Sequence, residues 1–194
     1  MFNLEHTLIV GGYIGLFVII FAESGFFAGF FLPGDSLLIT AGLLASQGYF
    51  NIWVIAVLCI VAAIAGDSFG YGFGKYVGPK IFTREDSLFF HKKHVERARD
   101  FFDRYGKRAI ILARFVPVVR TFTPIFAGVA QMSYRSFLSY NIIGAIIWGG
   151  GLPVAAFFAA SHIPGFENYF EYIIIGIILI SFVPIFVQYF WTKK

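Results

Sequence analysis

Glu23, Asp35, Asp67, Arg114 and Arg120 all stand in or beside apolar sequence, in stretches such as FAESGFFAGFFLPGDSLL and LARFVPVVRTFTP. Arginine presents a planar fork of donors and stays charged at any relevant pH, which makes it the natural receptor for a phosphate. A carboxylate in a partly dry site feels both its desolvation and a neighbouring arginine, so its proton can follow an arriving anion. The chemistry in outline is anion recognition coupled to proton exchange, with Arg114 and Arg120 for the phosphate and Glu23 and Asp35 for the protons. Asp67 fits equally a site residue or a helix-end residue near the cytoplasmic face, and Asn141 is a further candidate. For Arg120 alone the competing reading is a side chain that snorkels to the cytoplasmic surface. For the whole set it is a group of buried ion pairs that only locks two halves together, although such pairs stabilise poorly compared with packed apolar residues.

The elements that carry these charges must be membrane helices. The chain has 194 residues, 58% of them hydrophobic and 13% charged, with a mean hydropathy of +0.77, the composition of a polytopic membrane protein. A span needs roughly 20 apolar residues, and the runs at 8–24, 51–74, 136–160 and 169–191 give about four transmembrane helices. The N-terminal MFNLEHT lacks a basic region and no A-x-A-like site follows, so the first run is expected to remain as a membrane helix. Five unpaired charges at about 3 kcal/mol each would cost on the order of 15 kcal/mol, as much as the whole stability of an ordinary domain. They cannot all face lipid.

Two further segments, 25–50 and 109–132, are apolar but interrupted by Pro33-Gly34 and by Pro117 and Pro124. A proline inside a helix removes a hydrogen bond and clashes with the preceding turn. Broken backbone at membrane depth is tolerated only where protein or a water-filled cavity satisfies it, so both segments are expected to be buried re-entrant hairpins. Each is followed by a full span; Pro33 and Pro117 stand 84 residues apart, and Ala41-Gly42 and Ala127-Gly128 stand 86 apart. This weak repeat implies two units of opposite topology, and broken helices in inverted repeats point to a binding site at the midplane. The fold class is thus all-α and polytopic, with an inverted-repeat core forming a single domain over 1–194. Small residues at Ala62, Gly66, Gly70, Gly74 and Gly78 make a stripe for close helix contact. The glycines of GYGFGKYVG follow no strand, so a dinucleotide loop is not indicated.

Before Lys75 there are four acids and no Lys or Arg, whereas ten of the fifteen basic residues fall between Lys75 and Arg108. The positive-inside rule places this 75–108 loop, and Lys193 and Lys194, in the cytoplasm. Anionic headgroups account for the basic loop, so no nucleic-acid partner is invoked. Within it, residues 91–108 read as an amphipathic helix on the membrane surface. His91 and His94 have metal-like spacing, but no acidic or Cys residue converges on them, and no metal site is expected. Cys59, the only cysteine, lies in an apolar run and reads as a small hydrophobe.

The motifs FAESGFFAGFFLPGDSLL, AGDSFGYGFGKYVG, FFDRYG, LARFVPVVRTFTPIFAGVAQM and FLSYNIIGAIIW resemble the DedA family over nearly the whole chain. The resemblance implies a bacterial inner-membrane relative of the eukaryotic VTT-domain lipid scramblases, with two opposed re-entrant hairpins. It also implies translocation of undecaprenyl phosphate or phospholipid, proton-dependent envelope homeostasis and a role in drug or alkaline-pH tolerance. The positions of Glu23, Asp35, Arg114 and Arg120 match residues that the family treats as functionally essential. The expected function is therefore proton-coupled movement of an anionic phosphate lipid, with membrane lipid as partner and a proton gradient in place of any cofactor. The alternatives are a proton-coupled ion or drug antiporter and a non-selective scramblase. An enzyme acting on lipid phosphates is disfavoured, because the chain has no Ser-Gly-His phosphatase block and no DGxxAR-type metal motif.

Overall fold

The computed structural model describes residues 4–26, 34–82, 105 and 108–163. Among the described residues the regular structure is all helical: α1 (Leu4–Gly25), α2 (Gly34–Ser46), α3 (Ile52–Phe82), α4 (Ala109–Ala113), α5 (Pro117–Val129), α6 (Tyr134–Ala145), a π-helical turn (Ile146–Gly150) and α7 (Gly151–His162). Among the described residues two stretches are long and apolar enough to cross a membrane: Ile52–Val77 in α3, and Tyr134–His162 from α6 through α7. Apolar side chains lie on both sides of these helices. Ile55, Cys59, Ala62 and Trp148 pack in the main core, while Trp53, Val57, Val61, Ile142 and Ile146 are exposed. Exposed apolar surface on this scale suits a chain whose outer solvent is lipid.

The glycine stripe of α3 sets how closely its neighbours approach. A side chain on Gly66 would meet the Phe21 carbonyl and the Ser24 Cβ of α1, and one on Gly74 would meet the Ile125 backbone of α5. Both helices therefore lie directly on the α3 backbone, as small-residue interfaces in membranes permit. The helix that carries the second span, 51–74 by the sequence, runs from Ile52 to Phe82, and α5 packs along it at Gly74 and Lys75.

The helices of the two broken segments share one structural feature. Helices α2 and α5 are each 13 residues long and end in the same way. Gly48 N–H donates to Ala45 and Tyr49 N–H to Leu44, just as Gln131 N–H donates to Gly128 and Met132 N–H to Ala127. Gly48 and Gln131 both stand at positive φ, +86° and +59°, so both helices close with the left-handed Schellman geometry. Each packs on a long apolar stretch: α2 on α7, with Gly42 against Pro153 and Ala156, and α5 on α3, with Gly128 against Tyr71 and Lys75.

Pro117 and Pro124 behave differently. Pro117 opens α5 after the turn at 114–116, the position where a missing N–H costs nothing. Pro124 was expected to break the segment, yet α5 runs through it to Val129. The helix survives there because α3 supports that face, with Pro124 packed near Gly70, so tertiary contact overrides one lost backbone bond. Gly34 opens α2. Pro33, the 27–33 part of the first broken segment, the fourth span at 169–191, His91, His94 and most of the 91–108 helix lie outside the described residues.

Candidate functional site

The five charges arrive from five places and meet in the interior. Glu23 lies near the end of α1, Asp35 in the first turn of α2, Asp67 within α3, Arg114 in the turn after α4 and Arg120 in α5. Glu23, Asp67, Arg114 and Arg120 are each no more than 3% exposed, whereas the Asp35 side chain is 23% exposed. An acidic residue in the first turn also complements the positive end of α2.

Arg120 is the hub. Its Nη1 donates to Asp35 Oδ1 at 2.9 Å and its Nη2 to Glu23 Oε1. One guanidinium thus bridges two carboxylates from different helices, a geometry that a lysine ammonium cannot reproduce. Arg114 forms the second group: its Nη2 donates to Asp67 Oδ2 and to Asn141 Oδ1. Asn141 in turn donates to the Ile64 carbonyl at 3.4 Å. Asp67 is therefore an interior ion-pair partner and not a helix-end residue, and Arg120 does not snorkel to the surface. The pairing also refines the expectation of one mixed set, since each arginine has its own carboxylates.

Trp148 joins the groups. Its Nε1 donates to Asp35 Oδ1 at 2.6 Å, and its ring centroid lies 4.3 Å from the Arg120 guanidinium and 5.9 Å from that of Arg114. It sits in the π turn, a local widening that often marks functional sites. Pro153 stands in the first turn of α7, just after the π turn. The role of Trp148 was not anticipated; the available signal was an indole N–H in an apolar helix, which must find a partner. Trp148→Phe keeps a ring over Arg120 but removes the donor to a charged acceptor. Its expected cost is about 1.5–3 kcal/mol, read as a lower melting temperature in detergent, with Trp148→Leu lower still.

Two glycines make room for the charges. A Cβ on Gly34 would overlap the Glu23 carboxylate, and one on Gly144 would lie 2.6 Å from Arg114 Cδ and 2.7 Å from its Nε. Not every polar atom is used. Glu23 Oε2, Ser24 Oγ, Asp67 Oδ1, Arg114 Nε and Nη1, and Arg120 Nε are buried without a hydrogen-bond partner among the described residues. Buried polar atoms are ordinarily satisfied, and donors of a buried guanidinium aimed at no protein acceptor are a feature that a bound anion would use.

The VTT domain family matches residues 32–155, which include every charge of the cluster except Glu23. An uncharacterized membrane protein of Mycobacterium leprae is 45% identical over 167 residues, covering 86% of this chain and 74% of the relative. Protein DedA of Escherichia coli K12 is 42% identical over 174 residues, covering 89% of this chain and 79% of the relative. No solved structure matches the chain.

Proposed function

We propose, from the premise that this chain belongs to the VTT domain family of membrane proteins, that it carries an anionic phosphate lipid such as undecaprenyl phosphate between leaflets together with protons. The observation that carries this reading is Arg120, shared by Glu23 and Asp35 while buried donors of both arginines have no partner among the described residues. Arg114 and Arg120 bind the phosphate, and Glu23 and Asp35 relay protons. Asp67 and Asn141 hold Arg114 in place.

Charge balance supports the coupling. Three carboxylates face two guanidinium groups, so the fully ionised cluster carries one negative charge in excess, which is costly away from water. A bound proton neutralises it, and an anion that enters needs protonation of further carboxylates to keep the site neutral. Asp35, the most exposed member, is the natural point of entry. The two broken segments act as re-entrant hairpins around this site, in the bacterial inner membrane with the basic 75–108 loop and C-terminus cytoplasmic. Returning an anionic carrier lipid to the cytoplasmic leaflet works against the membrane potential at about 2.3 kcal/mol per charge per 100 mV, and protons moving inward offset that cost. Such recycling would serve envelope homeostasis. The activity is transport without a covalent step, and the proton gradient takes the place of a cofactor.

Headgroup selectivity tests the reading. In proteoliposomes, a polyprenyl phosphate should cross at least about tenfold faster than the uncharged polyprenol of the same chain, once the latter is corrected for protein-free flip, since a charged hydrogen-bonded contact is worth at least 1.5 kcal/mol. Equal protein-dependent rates for the two would overturn phosphate recognition and indicate a non-selective scramblase.

A further inference from the structure

Beside the charge cluster, helices α1, α2 and α3 enclose a half-open crevice of about 250 Å³, lined by residues that include Gly12, Gly15, Ile19, Leu37, Leu44 and Phe50. It begins close to the cluster: Ile19 is one helical turn before Glu23, and Leu37 is two residues after Asp35. From there it follows both helices away from the charges. Two lining residues have hydroxyl groups, and both are engaged. Thr40 Oγ1 donates to the Ser36 carbonyl at 2.7 Å, and Tyr13 Oη accepts from Asn51 N–H at 2.8 Å. The lining is otherwise apolar, so its chemistry suits a hydrocarbon.

Glycine keeps the crevice open. A side chain on Gly12 would meet the Phe50 ring at 2.8 Å, whereas a Cβ on Gly15 would meet nothing within 4 Å. Gly15 thus leaves a space that the described residues do not fill. Well-packed interiors leave few such voids, and an apolar one binds apolar guests.

We infer that this crevice holds the headgroup-proximal part of the hydrocarbon chain of the lipid whose phosphate is bound at Arg120. The inference rests on the phosphate-lipid reading above and adds a second half to the site. A headgroup drawn into a buried cluster brings the root of its chain with it, and the crevice is the apolar space that starts one turn from the carboxylates. Lipid tails are as apolar as leucine, so the crevice adds little general affinity. It supplies shape, selecting a chain that can lie between α1 and α2 while the phosphate stays at the arginines.

A Cβ at Gly15 meets no described atom within 4 Å and the exchange raises helix propensity, so Gly15→Leu should fold with its side chain in the crevice. Gly72→Leu is the control, because a Cβ at Gly72 also meets nothing within 4 Å and lies on α3 away from the crevice. The probes are a long-chain alkyl phosphate and the matching alcohol, each with a diazirine near the head end of its chain, cross-linked in proteoliposomes and mapped by mass spectrometry. With the phosphate probe, wild type and Gly72→Leu should be labelled mainly on 12–19 and 37–44. That labelling should fall about tenfold in Gly15→Leu, the effect of forcing added methylenes into an occupied space. Labelling spread over the outer faces and unmoved by Gly15→Leu would overturn the crevice as a chain site, as would no labelling there because another part of this chain or a second copy fills it. If the alcohol labels the crevice as strongly as the phosphate, the chain site stands and the phosphate reading fails.

Discussion

Replacing Arg120 with alanine should abolish lipid movement and lower stability by about 3–5 kcal/mol, the cost of breaking a buried ion pair by removing one partner. The reason is that Glu23 and Asp35 both depend on this one guanidinium. Arg120→Lys should retain more stability but lose about a hundredfold in transport rate, because an ammonium cannot bridge both carboxylates and truncated charge pairs cost about 2–5 kcal/mol. Melting in detergent separates stability from rate. A purely structural lock makes a different prediction for the triple variant Arg120→Gln, Glu23→Gln, Asp35→Asn. That variant removes every charge of the group and should recover stability relative to Arg120→Ala. If it also transported at the wild-type rate, the charges would be structural; the expected result is a folded, inactive protein.

Gly34→Ala should be strongly damaging, against what helix propensity alone would suggest. Exchange of Gly for Ala inside a helix gains about 1 kcal/mol. Here the new methyl would overlap the Glu23 carboxylate and drive it from Arg120. Overpacking costs about 1–3 kcal/mol, and transport should fall about as far as in a variant lacking the Glu23 carboxylate. The pair is coupled, so Glu23→Asp, one methylene shorter, should be less harmful with Gly34→Ala than alone, a departure from additivity of at least about 0.5 kcal/mol. Strict additivity of the two changes in a detergent melting series would show that Gly34 is not there to make room for Glu23.

The reading of the sequence was strongest where physics leaves little choice. Charges such as Glu23 and Arg120 stand out because a membrane interior penalises them, and the stripe from Ala62 to Gly78 follows from helical period. What could not be read was which arginine meets which acid. Asp67 fits a site residue and a helix-end residue equally by its place near the cytoplasmic end of its span, and it is Arg114, 47 positions away, that fixes its role. Trp148 is similar, since nothing adjacent to it in IIWGG indicates that its indole caps Asp35. Pro124 misled for the opposite reason: the local rule says break, and the packing of α5 on α3 overrides it. The matched Ala41-Gly42 and Ala127-Gly128 pairs gave no sign that the two helices end alike, at Gly48 and Gln131, which take the same unusual backbone conformation.

The most direct test of the central claim is leaflet-to-leaflet movement of undecaprenyl phosphate in proteoliposomes, measured with and without an imposed proton gradient for wild type, Arg114→Ala and Glu23→Gln. A proton-coupled phosphate-lipid carrier predicts gradient-stimulated movement in wild type and its loss in both variants. Movement that is equal with and without the gradient, and equal in all three proteins, would contradict it.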